Sequence, residues 1–163
     1  MAERDFIESP GVTAAAGTTK ARIERAALIL FCQRGVDAVT TREIAGASGV
    51  SEGALYRHYP SKASLSETMF FAIHKRLARE VRFAAESADK IDEKARAIVH
   101  AYTRIADEDW TLFSYHLLTT HRFLPYADKT DKKTGSENPV AVVEDVVSTA
   151  MKKGELPAGD VRL

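Results

Sequence analysis

Residues 40–65, TTREIAGASGVSEGALYRHYPSKASL, constrain the chain more than any other stretch. Their punctuation predicts two short helices, a tight turn between them, and the start of a third. Thr40 and Glu43 stand at the spacing of a capping box, so a helix is expected to begin there. Ile44, Ala45 and Ser48 carry it forward, and Gly49 suits a left-handed cap at its end. Val50 is apolar and fits the turn, and Ser51 is a good N-cap for the next helix, 52–59. Pro60 stops that helix, because proline disfavours helical geometry at the residue before it. Two helices joined by a short turn containing glycine form the helix-turn-helix pattern, whose second helix enters the DNA major groove.

The whole chain permits this. Its 163 residues suffice for a sizeable core in one or two small domains, and its 45% apolar and 28% charged content is ordinary for a globular protein. No apolar run reaches a membrane-spanning length of ~18 residues. The first residues carry an early acidic patch rather than the apolar core of a secretory signal, and with one cysteine, Cys32, a reducing cytoplasm is expected. Net charge is zero, which by itself argues against nucleic acid, but the distribution is uneven. Between 19 and 62 stand seven cations (Lys20, Arg22, Arg25, Arg34, Arg42, Arg57, Lys62) and four anions (Glu24, Asp37, Glu43, Glu52). That head is therefore +3, and the remainder −3.

The remainder reads as helix, giving an all-α chain of seven helices. Residues 1–18 are expected to be a flexible arm. A first helix spans 20–34, with Ile23, Ala26, Ala27, Leu30 and Phe31 facing inward and Gly35 closing it. After the motif, Ser61 caps a long fourth helix that carries Leu65, Met69, Ile73, Leu77, Val81 and Ala85 and ends near Ser87. Asp89 is expected to cap a fifth, with Ile91, Ala95, Ile98, Val99, Tyr102 and Ile105 inside. The acids Asp107, Glu108 and Asp109 suit the N-terminus of a sixth, where negative charge meets the helix dipole. That helix is expected to run through Trp110, Phe113, Leu117 and Leu118 to about Phe123 and to be ended by Pro125, with a polar loop over 128–137. Asn138 and Pro139 are a strong start for the seventh, which carries Val140, Val143, Val146, Val147, Ala150 and Met151 and stops at Gly154.

From residue 19 to 65 the sequence resembles the N-terminal domain of the tetracycline-repressor (TetR) family of bacterial transcription regulators. Five clusters match in order: Phe31 and Gly35; Thr40 with Glu43-Ile44-Ala45; Ala47 with Gly49-Val50-Ser51; Leu55-Tyr56 with His58-Tyr59; and Ser61-Lys62 with Leu65. The resemblance implies an N-terminal three-helix DNA-binding domain over 19–65 and a helical ligand-binding and dimerisation domain over 66–163. Family members usually continue through two further long helices that pair with a second subunit. The chain ends at Leu163, where the first of these is due, and a truncation is expected.

The same resemblance distributes roles. Thr40 is expected on phosphate, through its hydroxyl and amide. Tyr56 and His58 are expected on the sugar–phosphate backbone, and Lys62 on phosphate. Ser51 opens the reading helix. Arg42 and Arg57 are the candidates for base edges, where a bidentate arginine–guanine pair is worth ~1–3 kcal/mol of discrimination. Gly53 and Ala54 suit a close approach, and Ala54 a thymine methyl. Glu52 has two readings, acceptor from cytosine N4 or negative charge at a helix N-terminus. The partners implied are a palindromic double-stranded operator, a second copy of the chain, and an unidentified small-molecule effector. Phe70, Phe83, Tyr102, Trp110, Phe113, Tyr115, His116 and His121 are the candidates for lining the effector pocket, against a plain reading of each as core or surface.

Other chemistry has little support. His116 and His121 are five residues apart, not the four that would align two imidazoles, and no paired cysteines join them, so no metal is expected. Cys32 lies late in a helix beside a core position, which suits an inert thiol. No phosphate-cradling glycine loop and no nucleophile–base pair can be read, so neither cofactor nor enzymatic activity is expected. The alternative function is an all-helical protein-interaction module without DNA readout. Steep salt dependence of duplex binding separates the two.

Overall fold

The structure, a computed structural model, describes residues 9–130 and 138–161, with the side chains of 125–130 left aside. Among the described residues seven helices follow one another: α1 (Thr19–Arg34), α2 (Thr41–Ala47), α3 (Glu52–His58), α4 (Lys62–Glu86), α5 (Ile91–Glu108), α6 (Trp110–Thr130) and α7 (Pro139–Lys152). The all-α fold expected from the sequence is the fold observed. Two compact units share this chain. One comprises Met1–Ile73 with Thr111–Thr120, the other His74–Trp110 with His121–Leu163.

In the first unit the boundaries follow the local chemistry. Thr18 caps α1 by accepting from the Ala21 amide at 3.1 Å. Gly35, at φ 79°, closes it with its N–H on the Phe31 carbonyl. Inside α1 the buried apolar residues are Ala21, Ile23, Ala26, Ala27, Leu28 and Phe31, with Leu30 only half-buried. Leu28 takes the place expected of Leu30, a rotation of the stripe that the many small residues of α1 leave open. Ile44 and Ala45 of α2 and Leu55 of α3 complete the three-helix core, while Val50 in the turn is half-buried. Tyr115 of α6 stacks on Phe31 at 5.9 Å between ring centroids, and its hydroxyl donates to the Ser66 carbonyl at 2.7 Å.

In the second unit Leu77, Val81 and Ala85 of α4 are buried with Ala101 and Ile105 of α5 and Val142 and Ala150 of α7. The α5 face is the row 98, 101, 102, 105. Val99 is 60% exposed and Ala95 is also exposed, one position off that row on a 3.6-residue period. Lys90, not Asp89, occupies the N-cap of α5, without a side-chain cap bond. Asp107 and Glu108 belong to the last turn of α5 rather than to the start of α6. Negative charge there opposes the helix dipole, and Arg104 and Arg76 offset it by pairing with Glu108 at 2.7 and 3.0 Å.

The sixth helix departs furthest from expectation. Leu112, Tyr115, His116, Thr119 and Phe123 are buried, whereas Trp110, Leu117 and Leu118 are more than half exposed. The buried stripe includes polar residues that pack within the fold. The Thr119 hydroxyl donates to the Tyr115 carbonyl at 2.6 Å, and the His116 ring stacks on Phe70 at 5.0 Å. The helix runs through Pro125 to Thr130 instead of ending there. Of the loop expected over 128–137, residues 131–137 lie outside the described residues. Asn138 caps α7 as expected, accepting from the Val140 amide at 2.9 Å with Pro139 in the first turn.

Candidate nucleic-acid interface

The start of α2 is built from reciprocal caps. Glu43 accepts from both the Thr40 amide (2.8 Å) and the Thr40 hydroxyl (2.7 Å), while the Glu43 amide donates back to Thr40 Oγ1 at 3.2 Å. Arg34 completes the group, donating to Glu43 Oε1 at 2.8 Å and to the Ala38 carbonyl at 2.9 Å. These bonds favour the charged carboxylate and hold the Glu43 pKa down at about 2, with the Thr40 hydroxyl the largest cause. Ser51 caps α3 by accepting from the Ala54 amide at 3.2 Å, and Gly49 turns the chain at φ 66°. The Thr41 hydroxyl and the Tyr56 hydroxyl lie 3.2 Å apart, joining the two helices on their outer side.

This framing leaves α3 lopsided. Leu55 is fully buried, and Glu52, Gly53, Tyr56, Arg57 and His58 are exposed, with Ser51 exposed ahead of them and Ala54 half-buried. Arg42 of α2 is also exposed. A Cβ placed on Gly53 would meet only Ser51 Oγ, at 3.9 Å, so nothing inside the chain requires a glycine there. Eight of the ten expected DNA-binding residues thus fall on exposed or half-exposed positions of one small head with their side chains uncommitted to the core. The other two are engaged within it. Thr40 spends its amide and hydroxyl on Glu43. Lys62 donates its ammonium to the carbonyls of Val39 (2.6 Å) and Asp37 (3.1 Å), where it fastens the loop before α2 to the first turn of α4. An ammonium has three donors, so one stays available beyond that clamp.

One further group belongs to this head and was not anticipated. Glu24 of α1 is buried, and the Tyr59 hydroxyl donates to it from the end of α3. Burial, and then the bond to Glu24, push the Tyr59 pKa upward, so its hydroxyl stays protonated. The sequence carried a signal for it, a glutamate between Ile23 and the Ala26–Ala27 pair on the core-facing side of a helix.

The candidates for an effector pocket divide between the units. Phe70, Phe113 and His116 belong to the first, and Phe70 is closed off between His116 and Phe71. Phe83, Tyr102, Trp110 and His121 belong to the second. There Phe83 is 75% exposed on the wall of a shallow groove with His100 and Arg104, Trp110 and His121 are exposed, and burial raises the pKa of half-buried Tyr102. A separate cleft of about 590 Å³ in the second unit is lined by none of these residues. Arg82, Asp89, Lys94, Val142, Asp145 and Thr149 are among those that form it. A sequence search for aromatic rings with polar tips passes over such a lining of charges and aliphatic stems. Among the described residues no three His, Cys, Asp or Glu side chains gather as a metal ion would need, and no helix is long and apolar enough to cross a membrane.

A short bihelical wedge capped at both ends, with one face in the core and the other presenting arginine, histidine and tyrosine, defines the helix-turn-helix class. Residues 23–69 match the family model described as bacterial regulatory proteins, tetR family. A nucleoid occlusion factor, SlmA, from Haemophilus ducreyi is 32% identical over 78 residues, 48% of this chain and 39% of that protein. The HTH-type transcriptional regulator TtgR of Pseudomonas putida is 38% identical over 74 residues, 45% of this chain and 35% of that protein. The chain thus matches well under half the length of these curated relatives. The fold is also that of two solved structures. The fatty acid degradation regulator FadR from Bacillus halodurans aligns with a TM-score of 0.69 at 20% identity, over 90% of this chain and 75% of that one. The ketosteroid transcriptional regulator KstR2 of Mycobacterium tuberculosis aligns with a TM-score of 0.70 at 20% identity, over 88% and 74%.

Proposed function

We propose that this chain is the DNA-reading part of a ligand-responsive transcription regulator, a repressor that a small molecule releases from its operator. It acts by binding and carries out no chemistry. The observation that carries the reading is the lopsided α3, which buries Leu55 and turns Tyr56, Arg57 and His58 to solvent. A seven-residue helix held by one leucine presents an unusual share of its surface, and the residues presented are those that bond phosphate and base edges. Arg57 and Arg42 read bases in this account. Tyr56, His58, Thr40 and Lys62 hold the backbone, the last two by sharing donors that now serve Glu43 and the Val39 loop. Residues 19–65 are the reading domain, 66–163 the effector domain, and 1–18 an arm ahead of both.

One such helix makes too few contacts for tight binding, so two copies engage half-sites ~34–36 Å apart, or a multiple of that, on an inverted repeat. An effector that prefers one spacing of the heads shifts the population away from the DNA-competent one, and a coupling of ~1–3 kcal/mol changes operator affinity about 5–150-fold. The 590 Å³ cleft bounded by α4, α5 and α7 is of a size that takes a small molecule. Sequencing the duplexes that the protein retains from a random pool tests the reading. An inverted repeat bound with steep salt dependence is the expected result. Retention of no sequence above background, even in dilute buffer, overturns it in favour of an interaction module.

A further inference from the structure

The segment ahead of α1 is tied to the end of α3 through one buried carboxylate. Glu24 is fully buried, and three donors converge on it. The Thr13 amide donates to Oε2 at 2.9 Å, and the hydroxyls of Thr13 and Tyr59 both donate to Oε1. Tyr59 is where α3 stops, with its own amide on the Leu55 carbonyl at 2.9 Å and the Lys20 ammonium 5.6 Å from its ring centroid. The fit over Glu24 is close. A Cβ on Gly11 would come within 2.3 Å of Glu24 Oε2 and 2.8 Å of Ala21 Cα.

A carboxylate is an expensive way to fill a core. Its burial costs several kcal/mol unless hydrogen bonds meet the charge, and an apolar residue of similar volume often serves stability as well or better. What the carboxylate supplies and leucine cannot is a connection with direction. It fixes the Tyr59 hydroxyl, and with it the C-terminal end of α3, against α1. The outer lobe of the same group holds residues 11–13 in place, and they roof it against water. We propose that Glu24 is a positioning residue for the reading helix and that residues 11–13 are its outer clamp. The arm thereby sets sequence selectivity while Glu24 itself touches no DNA. This rests on the DNA-reading function proposed above.

The double variant Glu24→Leu/Tyr59→Phe removes acceptor and donor together and leaves neither orphaned. Gly11→Ala lifts the clamp and leaves both partners intact. Two measurements are made on each folded variant: hydrogen exchange at the Tyr59 amide relative to amides within α1, and the ratio of affinities for the selected duplex and a random one. The double variant is expected to speed exchange at Tyr59 while α1 keeps its protection, and to lower the affinity ratio about tenfold with the salt slope unchanged. Gly11→Ala shifts both in the same direction by less. Glu24→Gln, which keeps an oxygen for Tyr59, stays nearer the wild type than the double variant. Unchanged exchange and ratio in the double variant overturn the proposal, as does exchange that rises equally along α1 and α3, the mark of a merely structural glutamate. Should the double variant fail to fold, Gly11→Ala and Glu24→Gln decide by the same two measurements. Should the wild type distinguish no duplex, the DNA-reading function falls, and the exchange pattern alone still decides whether Glu24 positions α3.

Discussion

The head and the body of this chain are both helical, yet they reach their structures by different routes. In α1–α3 each helix is punctuated, and α2 and α3 are short. Thr18, Thr40 and Ser51 cap the starts, and Gly35 and Gly49 turn the chain at positive φ. Little freedom is left, because a seven-residue helix that buries only Leu55, or Ile44 with Ala45, has one way to sit. From α4 onward the helices run to 14 residues or more and are rich in apolar residues on more than one side. In α6 two stripes compete, and the one with Tyr115, His116 and Thr119 is inside. Local signals decide the head. In the body, partners from distant parts of the chain decide.

The sharpest way to break this contrast is to delete a leucine from each region. Leu55→Ala opens a cavity in a core with almost no alternative contacts, and a loss of about 2–5 kcal/mol is expected in the unfolding free energy. Leu117→Ser, on the exposed side of α6, is expected to change it by no more than about 0.5 kcal/mol. Paired urea titrations check both. If Leu117→Ser costs as much as Leu55→Ala, the stripe read from α6 is on the wrong side and the two regions are alike.

That contrast also explains what the sequence revealed. The capping box of Thr40 and Glu43, the Ser51 cap and the burial of Ile44, Ala45 and Leu55 are set within a few residues of one another, and each is visible as spacing. The Asn138–Pro139 start of α7 is legible for the same reason. The inward turn of His116 is not, because it depends on Phe70, forty-six positions earlier, offering a flat ring to stack on. The inner row of α5 is legible except at Ala95 and Val99, where apolar character outweighs helical geometry in a reading of the sequence. In the candidate interface, exposure of Arg42, Arg57 and His58 followed from the motif. The engagement of Lys62 with Val39 and Asp37 did not, since lysine at a helix start reads as a solvated cation until a loop is seen folded beneath it. Glu24 was counted only as a charge. Its role needs Tyr59 and Thr13 brought from 35 and 11 residues away.

Within the head, substitutions on the outer face separate recognition from folding. Arg57→Ala is expected to leave the melting temperature nearly unchanged and to cost about 1–3 kcal/mol against the preferred duplex, with preference relaxed at one base position. A loss that is uniform over all sequences would reassign Arg57 to phosphate. Gly53→Ala is the opposite probe. The open space at Gly53 and its helical position predict a gain in stability of up to about 1 kcal/mol. If DNA backbone or bases approach that surface, the added methyl weakens binding although the fold is firmer. Stability and affinity moving apart in this one variant supports a close approach at α3, and affinity rising with stability removes it.

The smallest effect expected concerns the capping box itself. The Glu43 carboxyl titrates near 2 in the folded chain against an ordinary value of 4.5, so the folded state favours its charged form. A depressed folded pKa contributes stability that is complete above pH 4.5 and is lost as the pH falls toward 2. Glu43 is solvent-exposed, so the contribution is modest and screened by salt. Glu43→Gln removes the titration but keeps an oxygen for the Thr40 amide. The wild type is therefore expected to exceed Glu43→Gln in urea midpoint at pH 6, and the gap to shrink steadily as the pH is lowered through 4 to 2. Arg34→Met should narrow the gap at pH 6 without abolishing it, because the Thr40 hydroxyl and amide are the larger causes and Arg34 comes after them. A gap independent of pH would mean that the shape of the glutamate, rather than its charge, holds the start of α2, and the head would then owe its definition to packing in the same way as the body.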